Sequence, residues 1–198
     1  YSFGVYGSWM GENGHYVDVI AKRTRVSTDF NLVNRSGIRH EAGYHNWANS
    51  ISIEAGHRFS DIGLQGVFLE PQAEFSYGYL TSAKYRTSAD ATVKQGAVKT
   101  AVGRLGVAAG YAFPEKAGSA YFRASVLHDF AGGTSTTMSY KQQSRTVKDD
   151  LSGTWGEFAA GLTYNLTDRW SAYGEVQTTC GSPITNPWQV SAGVRMSF

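Results

Sequence analysis

Trp188-Gln189-Val190-Ser191-Ala192-Gly193-Val194-Arg195-Met196-Ser197-Phe198 alternates without a fault. Trp188, Val190, Ala192, Val194, Met196 and Phe198 fall on one face, and Gln189, Ser191, Gly193, Arg195 and Ser197 on the other. That is the period-two signature of a strand with one apolar and one polar side. In a soluble sandwich the apolar side points inward; in a transmembrane barrel it points at lipid and the polar side faces a wet interior. The rest of the chain decides between them.

Reading outward in twos gives eight further strands. Asn46 to Phe59 sets Trp47, Ile51, Ile53, Ala55 and Phe59 against Ser50, Ser52, Glu54 and Arg58. Gly66 to Tyr79 sets Val67, Leu69, Pro71, Ala73, Phe75, Tyr77 and Tyr79 against Glu70, Gln72, Glu74 and Ser76. Both place charge where a soluble core needs apolar or paired groups. Weaker alternation runs from Tyr1 to Trp9, Tyr16 to Thr28, Thr100 to Phe113, Ala120 to Phe130, Trp155 to Leu166 and Trp170 to Gln177.

The composition agrees with an all-β class. Twenty-three glycines, twelve tyrosines and ten phenylalanines against four prolines favour closely packed strands with aromatic anchors. The 198 residues read as one domain, 1–198, and no apolar run approaches the ~18 residues of a spanning helix. A mildly negative mean hydropathy does not argue against a barrel, because interior and loop residues dilute the lipid-facing ones. A net charge of +2, with the basic residues scattered, gives no field for nucleic acid. Cys180 is the only cysteine, so an intrachain disulfide is excluded.

Connections alternate in length. Met10 to Gly14, Ser60 to Gln65, Pro114 to Gly118 and Thr167 to Arg169 are short, while Asp29 to Tyr44, Leu80 to Lys99, Ala131 to Thr154 and Thr178 to Pro187 are long. Short periplasmic turns and long extracellular loops are the outer-membrane pattern, and they put Phe198 at the periplasmic end. Strand dimensions fit: at ~3.3 Å per residue and a tilt near 45°, Trp47 to Phe59 rises about 28 Å and Trp188 to Phe198 about 23 Å, bracketing the ~25 Å apolar band. Trp47, Tyr79, Phe130 and Trp188 read as one aromatic girdle, and Trp9, Phe59, Phe113, Trp170 and Phe198 as the other.

Five separated motifs carry a family resemblance: Gly14-His15-Tyr16-Val17-Asp18, Phe68-Leu69-Glu70-Pro71-Gln72-Ala73-Glu74, Gly103-Arg104-Leu105-Gly106, Arg123 through Phe130, and Pro187 through Phe198. In order and spacing they closely resemble the C-terminal translocator of autotransporters, of the pertactin and AIDA-type adhesin group. The resemblance implies an antiparallel up-and-down barrel of about twelve strands in the bacterial outer membrane, entered by a helix that continues into a secreted passenger. It implies type V secretion as the function, with the chain's own passenger segment, outer-membrane lipid and lipopolysaccharide, and the barrel-assembly machinery as partners. The resemblance begins at the family's fourth strand. Nine strands also leave the two ends on opposite sides of the membrane, so the chain reads as a barrel without its first strands.

On the polar face lie Glu54, Arg58, Glu70, Glu74, Arg104, Arg123, Asp129, Glu157, Glu175 and Arg195, with Asp18 and Lys22 joining them. Mixed signs predict a hydrated, ion-paired lumen rather than a ring of one sign. Trp188, Val190, Val194, Met196 and Phe198 resemble the barrel-assembly signal of outer-membrane proteins. Catalytic signals are poor, and neither metal nor cofactor is implied. His40 and His45 are five apart with Gly43 between, not one helical turn apart; Gly103, Gly106 and Gly110 sit in a strand with no helix following and predict close packing. The reading is a non-enzyme. An alternative is an outer-membrane adhesin or small porin acting through its loops, whose basic residues Arg35, Arg39, Lys84, Arg86, Lys94, Lys141, Arg145 and Lys148 would meet lipopolysaccharide phosphates.

Overall fold

Alternation in the sequence becomes strand pairing in the computed structural model, which describes residues 1–33, 36–182 and 186–196, the side chains of Leu32 and Ser182 apart. Phe198, Ser197 and Arg35 lie outside the described residues. Along the chain come β1 (Ser2–Met10), β2 (His15–Val33), β3 (Arg39–His57), β4 (Phe59–Ser60), β5 (Val67–Leu80), β6 (Ala83–Arg86), β7 (Thr92–Gln95), β8 (Val98–Ala112), β9 (Gly118–Asp129), β10 (Gly133–Tyr140), β11 (Gln143–Asp150), β12 (Gly153–Asn165), β13 (Trp170–Ser182) and β14 (Asn186–Met196).

Nine long strands form one antiparallel meander in the order β1-β2-β3-β5-β8-β9-β12-β13-β14, and β4 resumes β3 beyond Arg58 to pair with β5. They are the nine strands read from the alternation. Their apolar face is the exposed one: Ile51 and Ile53 are 52% and 49% exposed, and Leu105 and Val194 reach 69% and 65%. On the opposite face Glu70 and Arg104 are 6% and 8% exposed. A water-soluble sheet has the reverse arrangement. The sheet curls until Met10 of β1, Tyr16 and Asp18 of β2, and Arg195 of β14 line one cavity of about 560 Å³.

Short connections are tight turns. Gly14 takes a φ of +86°, and a Cβ there would approach the Arg58 carbonyl oxygen to 2.5 Å, while the Arg58 amide donates to the Gly14 carbonyl at 2.9 Å. The Pro114–Lys116 turn holds Glu115 and Lys116 at positive φ, 56° and 58°.

The long connections are more ordered than their composition predicts. The segment from Asp29 to Tyr44 is mostly hairpin, because β2 and β3 stay in register out to Val33 and Arg39. Segments of the next two long connections pair with each other in a second, four-stranded sheet, β11-β10-β7-β6. Thr136 faces Gln95 and Met138 faces Val93, with Val93 and Ala91 buried at 2% and 3% exposure. Tyr85 of β6 stacks on Tyr44 at 4.4 Å and ties this sheet to the β2–β3 hairpin. Burial, and then the Tyr44 phenol, pushes the Tyr85 hydroxyl above its ordinary pKa.

Candidate functional site

Register puts two carboxylates side by side: Glu54 on β3 is directly opposite Glu74 on β5, and Glu74 is opposite Arg104 on β8. Like charges facing each other across a pair destabilise a sheet unless a cation intervenes. Arg104 does so, its Nη2 lying 2.6 Å from Glu54 and 2.7 Å from Glu74 while its Nε donates to Glu74 at 2.9 Å. The Tyr16 hydroxyl donates to the other Glu54 oxygen at 2.8 Å, so both oxygens of that carboxylate are satisfied.

The row continues toward the short-turn end. Arg58 Nε donates to Glu70 at 2.5 Å, and Gln72 donates to the second Glu70 oxygen at 2.7 Å. The Arg58 guanidinium lies over the Phe68 ring, 4.1 Å from its centroid. Farther round, Arg123 Nη2 stands 3.4 Å from Glu157 and 3.6 Å from Glu175, and the Tyr121 hydroxyl donates to Glu175. Asp18 accepts from Ser8 at 2.5 Å. Arg195 lines the cavity and makes no ion pair among the described residues.

Asp129 is 4% exposed and occupied otherwise: its Oδ1 accepts the Ala101 and Ala131 amides, each at 2.9 Å, which fastens the β9 terminus to β8. Trp188, Val190, Val194 and Met196 are all on the exposed apolar face, at 68%, 57%, 65% and 39%. His40 and His45, an odd number apart on β3, point to opposite faces.

The interior face is less polar than a reading of its charges suggests. Phe68, Leu127 and Trp155 are buried there at 2%, 9% and 7% exposure. Several aromatic rings cover glycines directly opposite on the neighbouring strand: Tyr16 over Gly56, Phe68 over Gly110, Tyr121 over Gly161 and Tyr173 over Gly193. A Cβ at any of these glycines would collide with the ring. Tyr16 and Tyr121 thereby gain a fixed ring from which the hydroxyl reaches a carboxylate, roles that a search for charge passes over. Their signal is parity, since each occupies a polar-face position in its strand.

The sequence profile described as autotransporter beta-domain matches residues 1–177. The chain belongs to that family. Such a β-domain is an outer-membrane barrel of Gram-negative bacteria, which accounts for an apolar exterior around a charged interior. The pertactin autotransporter of Bordetella parapertussis is 29% identical over 199 residues, covering 98% of this chain and 21% of that protein. The BrkA autotransporter of Bordetella pertussis is 28% identical over 205 residues, again 98% of this chain and 19% of that protein. This β-domain therefore spans about a fifth of the length of the curated relatives it matches. The crystal structure of the beta domain of the Bordetella autotransporter BrkA superposes with a TM-score of 0.74 at 26% identity, over 100% of this chain and 72% of that one. The translocator role of the family is non-enzymatic.

Proposed function

We propose that this β-domain anchors a passenger in the outer membrane and forms part of the pore through which the passenger reaches the cell surface. The observation that carries the reading is the arrangement of Glu54, Glu74, Arg104, Arg123, Glu157 and Glu175, cross-linked on the interior of a sheet whose exterior is apolar. Charge held by neighbouring strands keeps the interior hydrated without a free cluster of one sign to trap a moving segment. In this reading the chain conducts and anchors, and performs no bond chemistry.

The barrel is completed by strands outside the chain. Among the described residues β1 pairs only with β2 and β14 only with β13, and unpaired edges facing lipid cost several kcal/mol per backbone group. The face of β14 carrying Trp188, Val190, Val194 and Met196, with Phe198, serves the barrel-assembly machinery. The long connections face the cell exterior. The test is passenger display by the full-length protein: impermeant labelling of the passenger on intact cells should fall when the interior row is emptied by Glu54→Gln, Glu74→Gln and Arg104→Gln together, relative to the amount of folded barrel. Unchanged display per folded barrel overturns a transport role for the row.

A further inference from the structure

Two arginines are on the lipid side. Arg23 and Arg25 occupy odd positions of β2, the same face as Val17 and Val19, with Arg23 opposite Asn49 and Arg25 opposite Trp47. The Arg23 guanidinium reaches past its own rung to lie 4.3 Å from the Trp47 centroid. Arg25 lies 5.8 Å from the Tyr1 centroid and donates to the Tyr1 hydroxyl at 3.2 Å. Tyr1 and Trp47 meet edge to face at 6.2 Å, so the four side chains form one patch.

Among the described residues no carboxylate is within 4.0 Å of either guanidinium. In the long connections, by contrast, Arg39 pairs with Glu41 at 3.4 Å and Arg86 with Asp90 at 3.3 Å. Below the patch the exterior is apolar, through Val19 on β2 and Ile51 and Ile53 on β3; above it stands the polar β2–β3 hairpin. The arginines thus mark the upper limit of the apolar band, and Arg23 bends toward the long-connection side, as a snorkelling side chain does. Unpaired cations at that depth are stabilised by an anion of the bilayer surface, and the planar guanidinium fork matches phosphate oxygens.

We propose that Arg23, Arg25, Trp47 and Tyr1 form an exterior site for a phosphate of lipopolysaccharide, the phosphorylated glycolipid of the outer leaflet. This rests on the proposed orientation, which puts the patch in that leaflet. Full-length protein in phosphatidylcholine nanodiscs, titrated with bisphosphorylated lipopolysaccharide, should bind it, and R23Q/R25Q should weaken binding about tenfold or more. R23K/R25K, which keeps the charge and loses the fork, should fall between. Dephosphorylated glycolipid should lose the same affinity on unaltered protein, a comparison independent of whether any variant folds. Equal binding by R23Q/R25Q, by the dephosphorylated lipid, or by phosphatidylglycerol overturns the site. A tag at Gln142 closed to impermeant reagents on intact cells overturns the orientation instead; loss of lipid selectivity with Gln142 still labelled overturns the site alone.

Discussion

Arg104 and Leu105 are neighbours in sequence and opposites in environment. Arg104 is 8% exposed between two carboxylates, and Leu105 is 69% exposed on the outside. Arg104→Leu leaves Glu54 and Glu74 facing each other without a counter-charge, and breaking a buried pair in this way costs about 3–5 kcal/mol. Adding Glu74→Gln should recover part of that loss, which a double-mutant cycle measures directly. Leu105→Arg places a charge in lipid and should cost roughly 2–4 kcal/mol near the midplane. Urea-unfolding midpoints of the full-length barrel in liposomes check both; a harmless Leu105→Arg would reverse the two faces of β8. The neighbours Glu70 and Glu74 divide their work: Arg58 holds only Glu70, and Arg104 holds Glu74. Sequence parity puts both acids on the right face but leaves either one open to Arg58.

At the scale of elements, β5 and β8 show why glycine and an aromatic ring recur as opposed pairs. Phe68 fills the space over Gly110, and a side chain at Gly110 would meet both that ring and the Ala120 carbonyl. Gly110→Val should therefore destabilise the barrel by about 1–3 kcal/mol through overpacking. Adding Phe68→Ala should relieve only the ring's share, because the backbone carbonyl remains; full recovery in the same unfolding assay would locate the strain wholly in the ring. The extent of the meander was legible in the alternation, although β2 and β3 run well past their expected limits, to Val33 and from Arg39, into what read as a loop. The second sheet was not. In β10 and β11, Gly133–Tyr140 and Gln143–Asp150, polar residues occupy both faces, so no period-two contrast announces a strand. The two strands pair with each other as a hairpin, and β10 alone pairs with β7, far away in the chain, a contact that no local pattern encodes.

For the whole molecule, alternation of short and long connections sets a topology. Tags at Gln142 or Asp90 should be labelled by impermeant reagents on intact cells, and tags at Glu12 or Glu115 only after permeabilisation. Labelling at Glu115 without permeabilisation would invert the barrel. Assembly is tested at the same scale. Deleting Phe198 from the complete protein should lower the heat-modifiable, folded population in outer membranes, since the apolar alternation read from Trp188 onward in the sequence ends on that aromatic. Wild-type insertion after that deletion would remove Phe198 from the assembly signal.

The sequence by itself determined which residues share a face of each strand, because a strand has only two faces and a one-residue slip would exchange them all. It also determined the order of the meander, since in an up-and-down barrel consecutive long strands lie side by side whether a turn or a long loop joins them. Only the tertiary structure decided who pairs with whom. Arg104 reaches Glu54 across an intervening strand, Tyr16 and Tyr121 become hydrogen-bond donors to carboxylates, and Asp129 accepts backbone amides rather than an arginine. Those choices depend on register and curl, which set side-chain distances between residues tens of positions apart. A pattern read along one strand holds the face of each residue and nothing of its distance to the next strand but one.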